Sequence, residues 1–250
     1  MIWNLELGNL FLGVVQAITE FLPISSSGHL HIFQLLWGIT PNISTDIWLN
    51  SATLLAVLVY FSLPGRHPWL KLSPREKIAL LFRIFLASLP AGLVGLLFKD
   101  QINILFSSSK LLPLTYLFSA FFLFSLRFPR PVGKQLDNKK ALIIGLAQAL
   151  AVLPGVSRSA ATIATASWFG LPPEEAFQFS FLLYVPASIG ALALSVSDIS
   201  ATAFPLSVFL PTAILGFVSL SLLHRLFVKH RLWLFAFYCL ALSAFLLLFF

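Results

Sequence analysis

Two short stretches of this chain concentrate side chains able to handle a phosphorylated substrate. The first runs from Gln16 to His31 and carries Gln16, Glu20, Ser25, Ser26, Ser27, Gly28, His29 and His31. Gln16 and Glu20 are four apart, so on a helix they share one face, and Pro23 then breaks that helix. The second, residues 153–160, reads Leu-Pro-Gly-Val-Ser-Arg-Ser-Ala, and its Arg158 is the only charge between Lys140 and Glu174. A carboxylate can bind a metal or act as a base, a hydroxyl can attack phosphorus, and an imidazole can move protons. A guanidinium presents a planar fork of donors that fits phosphate oxygens. Half-helices beginning near His29 and Ala160 would add their free N–H groups. Ser25, Ser27 and Gly28 from one break, with Ser157, Arg158 and Ser159 from the other, would then cradle one or two phosphates.

Each residue also has a plainer reading. Arg158 could be a structural partner of Glu20, which does not preclude phosphate binding. His29 could be a hydrogen-bonded packing residue. His31, two positions on, faces away from it on a helix and reads as interfacial. Arg83 reads as a residue snorkelling toward the nearer interface, and the single cysteine, Cys239, as a small apolar packing residue.

The surroundings of these stretches are those of a membrane protein. The 250 residues are 58% hydrophobic and only 10% charged, with a mean hydropathy of +0.93, where a soluble domain carries about 25% charged residues. The N-terminus has Glu6 and no Lys or Arg, so it lacks the charged start of a cleavable signal peptide. Runs able to supply roughly 20 residues for crossing the hydrocarbon are Ile47–Gly65, Ala176–Val196, Ile199–His224 and Leu232–Phe250; Ile78–Phe98 and Leu111–Leu126 are further candidates. The net charge of +7 does not point to nucleic acid, because four of the 16 basic residues lie in 66–77, five in 127–140 and three in 224–231. These short loops follow the positive-inside pattern and belong in the cytoplasm.

That orientation makes six full spans and leaves two segments over, 8–45 and 141–172. Each consists of two apolar pieces about half a span long on either side of a Pro/Ser/Gly break: Phe11–Leu22 and His29–Ile39, then Ala141–Leu153 and Ala160–Gly170. The pattern reads as two re-entrant helix-break-helix hairpins, tolerated at membrane depth only where they line a cavity or are packed in protein. Gly13, Gln16, Ala17, Ser25 and Ser27 recur 132 residues later as Gly145, Gln148, Ala149, Ser157 and Ser159. One hairpin would enter from outside and the other from inside, an inverted repeat. The expected fold is therefore an all-α polytopic membrane protein forming one domain over 1–250, with repeat 1 at about 8–98, repeat 2 at about 141–223 and a last span at 232–250.

Gln16-x-x-x-Glu20-Phe-Leu-Pro-Ile-Ser-Ser-Ser-Gly-His29 and Pro154-Gly-Val-Ser-Arg-Ser159 resemble the two signature motifs of the undecaprenyl-diphosphate phosphatases, the bacitracin-resistance membrane family, and the resemblance covers nearly the whole chain, with Leu54–Phe61 and Phe179–Pro186 similar to family segments in the right order. Many members have Glu where Gln16 stands, Gly at Ala17, Ala52 and Ala160, and His at Asn50. The resemblance implies removal of the terminal phosphate of undecaprenyl diphosphate in the bacterial inner membrane, recycling the cell-wall lipid carrier at a site open to the extracytoplasmic side. It implies dependence on a divalent cation, Mg2+ or Ca2+; with one carboxylate in the motif such an ion would be weakly held, and Glu20 would bind it or act as base. Carried over, Glu20, Ser26, His29 and Arg158 are the catalytic candidates, with Gln16 and Gln148 in support. Partners would be a polyprenyl diphosphate lipid and membrane lipids; a homodimer is one assembly such a chain could form. Ser27-Gly28-His29 and Ser157-Arg158 also resemble motifs of acid-phosphatase-like lipid phosphatases, but no histidine lies between His67 and His224 to complete that set. A different class, a carrier for a polyprenyl phosphate, would use the same arginine cradle without needing an acid–base residue.

Overall fold

Two prolines decide where the first helix of each polar stretch stops. Helix α1 spans Leu5–Thr19 and ends four residues before Pro23; α7 spans Asn138–Leu150 and ends four residues before Pro154. A proline ring collides with the carbonyl four residues back and offers no N–H to it. The computed structural model describes residues 5–38, 43–63, 66, 72–106, 109–128, 131–194, 205–228 and 230–249, and no strand lies among them.

After each break the chain turns back into a short helix, α2 over Ser26–Leu36 and α8 over Arg158–Trp168. Both begin earlier than the expected His29 and Ala160, because a serine takes the N-cap. Ser25 Oγ accepts from the Gly28 N–H at 3.5 Å and Ser157 Oγ from the Ala160 N–H at 3.3 Å. Ser26–Gly28 and Arg158–Ser159 are therefore first-turn helix residues, not loop. Ser25 sits at φ 67, a left-handed conformation that costs a non-glycine residue about 1–3 kcal/mol.

The remaining helices are α3 (Ile43–Ser62), α4 (Pro74–Leu97), α5 (Lys99–Phe106), α6 (Leu112–Ser125), α9 (Pro173–Leu194), α10 (Leu206–Val228) and α11 (Phe235–Phe249), the last led in by a 3-10 turn over Leu232–Leu234. Five stretches are long and apolar enough to cross a membrane: Thr45–Ser62, Pro74–Leu97, Pro173–Leu194, Leu206–Phe227 and Leu232–Phe249. The sixth expected span, 111–126, is α6, whose 14 residues give about 21 Å of helix, short of a hydrocarbon core. The expected limits Ile39, Gly65, Val196, Ile199 and Phe250 lie outside the described residues. Two helices that follow basic loops are firmly started. Ser73 and Glu76 form a reciprocal capping box on α4, and Asp137 accepts the Lys140 N–H at 2.8 Å at the start of α7, which holds its carboxyl below the usual carboxylate range.

The outer face of α4 exposes Ile78, Phe82, Phe85, Leu89 and Leu93, a surface suited to lipid and not to water. Inside, Phe21, Tyr60, Phe177, Phe181 and Ile163 belong to one buried cluster. Helix α1 packs on α10 and α7 packs on α4, each contact seated on a glycine. A Cβ on Gly13 would run into Thr212 Oγ1 of α10, and one on Gly145 would run into the Ala87 carbonyl of α4. The close approach of α7 and α4 thus excludes any side chain at 145.

Candidate active site

Glu20 is the residue on which the two breaks converge. It lies in the turn after α1, where its side chain is 12% exposed. Its Oε1 accepts from Arg158 Nη2 at 3.3 Å. Its Oε2 accepts from Ser26 Oγ at 2.5 Å and from Gln16 Nε2 at 3.2 Å. Ser26 and Arg158 are the first residues of α2 and α8, and they are 132 residues apart, the spacing of the five repeated identities. The two short helices therefore present corresponding first-turn side chains to opposite oxygens of one carboxylate. Their first N–H groups, which have no intrahelical acceptor, belong to the same neighbourhood.

Arg158 is 13% exposed and held from several sides. Its Nη1 donates to the Ser180 carbonyl at 3.3 Å, and its guanidinium lies 4.3 Å from the Tyr184 ring centroid and 5.2 Å from that of Phe181. Of its five N–H donors, these contacts use one on each terminal nitrogen, leaving donors for an incoming anion. The Glu20 carboxylate offsets the cost of burying this cation.

The other expected site residues are placed differently. Ser25 and Ser27 meet through their hydroxyls at 3.3 Å, as do Ser157 and Ser159. Ser157 also donates its N–H to Ser119 Oγ at 2.8 Å. Ser25 and Ser157 are the two N-caps, Ser27 and Ser159 meet their hydroxyls, and Ser25, Ser157 and Ser159 are buried. Gly28 lies so close to Tyr116 that a Cβ there would be 2.9 Å from the phenol ring. Gln148 is 2% exposed, and both polar atoms of its amide lack a partner; the structure shows no contact from it to Glu20 or Arg158.

The hydrogen-bond partners of His29 are neither Glu20 nor Ser26. It is 5% exposed. Its Nδ1 is 2.6 Å from the Ser25 carbonyl oxygen and its Nε2 is 2.6 Å from the Tyr238 hydroxyl. Because a carbonyl can only accept, Nδ1 carries the proton and Nε2 accepts from Tyr238. Tyr116 Oη lies 3.0 Å from Nδ1, and the Tyr238 ring stacks on the imidazole at 5.7 Å and 9°. Both ring nitrogens are thus occupied, and one of them grips the strained Ser25. His31 lies on the same short helix with its Nε2 buried and unpartnered.

Several polar residues of neighbouring helices that the sequence did not assign to the site lie around it. Tyr184 Oη donates to Asn50 Oδ1 at 2.7 Å and lies 3.0 Å from Thr53 Oγ1, which in turn is 3.5 Å from Gln16 Nε2. Thr162 Oγ1 and Ser180 Oγ are 2.6 Å apart behind Arg158. The available signal was hydroxyl and amide groups within otherwise apolar runs, the same anomaly that marks the two breaks.

Among the described residues no group of three or more His, Cys, Asp and Glu could enclose a metal ion. A hard divalent cation needs less protein when phosphate oxygens complete its shell. Glu20 supplies one carboxylate, and Gln16 Oε1, on the same helical face, is buried with no hydrogen-bond partner. These two oxygens fit such an ion held jointly with a diphosphate.

Comparison with known proteins agrees with the motifs. The family model described as bacitracin resistance protein BacA matches residues 9–245. The chain is 37% identical to undecaprenyl-diphosphatase 2 of Bacillus thuringiensis strain Al Hakam, with 96% of each chain covered. It is 36% identical to the undecaprenyl-diphosphatase of Thermosipho africanus, covering 95% of this chain and 97% of that one. It is 35% identical to that of Methanococcus maripaludis strain C5, covering 96% and 98%. With the match running across both breaks and four of the five apolar stretches and into the fifth, the chain is a multi-pass membrane protein and belongs to the BacA bacitracin resistance family.

Proposed function

We propose that this chain hydrolyses undecaprenyl diphosphate to undecaprenyl phosphate and inorganic phosphate, returning the lipid carrier to cell-wall synthesis. One observation carries the reading beyond the relatives' names: a serine hydroxyl 2.5 Å from a carboxylate that an arginine holds from the other side. This is a nucleophile, its base and the base's orienting partner. A carrier would need the arginine but not the serine–carboxylate pair.

In this mechanism Arg158 binds the terminal phosphoryl group with its remaining donors and offsets the charge that builds on it. The first-turn N–H groups of α2 and α8 add donors of the same sign. Ser26 Oγ attacks the terminal phosphorus while Glu20 takes its proton, and the bond to the lipid monophosphate breaks. Water then cleaves the Oγ–P bond, releasing phosphate and restoring the serine. His29 acts through the backbone: it clamps the Ser25 carbonyl and so fixes where α2 begins and where Ser26 points. A Mg2+ or Ca2+ ion, held weakly by Glu20 and Gln16 Oε1 with the diphosphate, would lower the negative charge facing the nucleophile.

The same proposal makes the two breaks re-entrant hairpins of an inverted repeat, over about 8–98 and 141–223, with α6 as a sixth, short span. The exchange of partners supports it: α1 on α10 is answered by α7 on α4. With the basic loops in the cytoplasm of a bacterial inner membrane, the site opens to the extracytoplasmic side.

The test is phosphate release from undecaprenyl diphosphate by the detergent-solubilised protein, with added Mg2+ or Ca2+ and with EDTA. Metal-dependent release supports the reading. No release under any metal, with movement of polyprenyl phosphate in liposomes, would replace it with the carrier.

A further inference from the structure

A cavity with a mixed apolar and polar lining lies at the end of the bundle that carries the basic loops, and none of the residues around Glu20 lines it. Its volume is about 400 Å3, and its lining includes Ser125, Arg127, Ser167, Trp168, His230 and Trp233. These residues sit where α6 and α8 end and around the α10–α11 turn, between Phe227, which closes one apolar stretch, and Leu232, which opens the next. The cavity is therefore at the membrane surface, the depth at which indole rings settle.

Its walls are chemically lopsided. Arg127 and His230 line it and, among the described residues, no carboxylate does. Among the described residues neither is ion-paired. Lys134 stands close by: the N–H groups of Gly133 and Lys134 both donate to the Gly170 carbonyl at 3.1 Å, and the Lys134 chain passes over Gly170 beside the lining residue Leu171. The Arg127 guanidinium rests 5.2 Å from the Trp233 ring centroid, and the Trp168 indole N–H donates to Ser125 Oγ at 2.9 Å. A preformed space with the Arg127 guanidinium, the His230 imidazole, a neutral hydroxyl at Ser167 and two indole walls fits a phosphodiester better than a cation or a purely apolar group. An apolar path leads away from it into the hydrocarbon. Phe128, Leu234 and Phe237 are all exposed, and Phe237 lies one helical turn below Trp233 with the rings 5.9 Å apart.

We propose that this cavity binds the headgroup of an anionic phospholipid from the leaflet that meets the basic loops, with an acyl chain lying along Phe128 and Phe237. The phosphodiester takes Arg127 and His230, and the glycerol oxygens take the Ser167 hydroxyl. This lipid is neither the substrate nor the product, and its site does not depend on how Glu20 and Arg158 act.

The experiment titrates the delipidated full chain in detergent with phosphatidylglycerol, phosphatidylcholine and a polyprenyl monophosphate, reading bound lipid by native mass spectrometry. Phosphatidylglycerol is expected to bind ~5-fold more tightly than phosphatidylcholine, the scale set by one surface guanidinium. Joint Arg127→Gln and His230→Gln substitution should remove that preference while polyprenyl monophosphate still binds. Ser167→Phe, which fills the cavity and keeps every charge, should also remove it. Equal binding of the two phospholipids in the native chain would overturn the proposal. So would intact preference in Ser167→Phe, which would mean diffuse attraction to the basic loops. Loss of polyprenyl monophosphate instead of phosphatidylglycerol in the charge variant would reassign the cavity to the carrier lipid.

Discussion

Replacing Arg158 by lysine keeps the charge and removes the shape. The guanidinium spans Glu20 Oε1 and the Ser180 carbonyl, both at 3.3 Å, from its two terminal nitrogens, and lies 4.3 Å from the Tyr184 ring centroid. An ammonium group is a point donor that cannot serve both acceptors and still turn a fork toward phosphate. Losing one charge-assisted hydrogen bond costs about 1.5–3 kcal/mol, and the lost stacking about 0.5–1 kcal/mol. If these contacts tighten as charge develops on the phosphoryl group, the sum of about 2–4 kcal/mol appears in kcat/KM as a fall of roughly 30- to 1000-fold. The assay is phosphate release from undecaprenyl diphosphate at several substrate concentrations, with the melting temperature of each protein measured beside it. The lysine protein keeps a cation opposite Glu20, so its melting temperature should stay near that of the native chain. Arg158→Ala strands Glu20 in a site where it is 12% exposed and should lose both activity and stability. An Arg158→Lys protein with native kcat/KM would refute the fork argument.

Other outcomes follow from neighbouring contacts. Tyr238→Phe leaves His29 Nε2 buried without its 2.6 Å partner; kcat should fall about 10-fold, as expected for one buried group left unsatisfied, with KM little changed, and an unchanged kcat would show that His29 is not positioned through α11. Gly145→Ala drives a methyl into the Ala87 backbone, whereas Gly13→Ala meets the side chain of Thr212, so thermal denaturation should show the larger loss at 145, about 1–3 kcal/mol for an overpacked site. Equal losses would contradict the α7–α4 contact. Gln16→Glu turns an unpartnered amide oxygen into a second carboxylate, and the metal concentration for half-maximal phosphate release should drop several-fold; no change would remove Gln16 from the ion's surroundings.

Much of the site was legible because polar residues are costly in an apolar chain. Glu20, Ser26 and Arg158 stood out by composition, and the structure joins them within 3.3 Å. The breaks were legible as well, since a proline acts on the carbonyl four residues behind it. What stayed hidden was the use of each hydroxyl. Ser25, Ser27, Ser157 and Ser159 read as phosphate ligands by type; the structure adds that Ser25 and Ser157 cap the two short helices and that Ser27 and Ser159 meet their hydroxyls. His29 read as an acid or base; its partners, Tyr116 and Tyr238, come from α6 and α11, 87 and 209 residues away, and no local pattern announces them. The expected run 111–126 is matched by α6 almost residue for residue, from Leu112, with Pro113 in its first turn, to Ser125.

The central claim is that Ser26 on Glu20 carries out the chemistry. Phosphate release from undecaprenyl diphosphate by the purified Ser26→Ala protein tests it most directly. The account predicts background turnover in a protein that melts near the native temperature, since one half-buried hydroxyl is lost and nothing is displaced. Release at the native rate would contradict it.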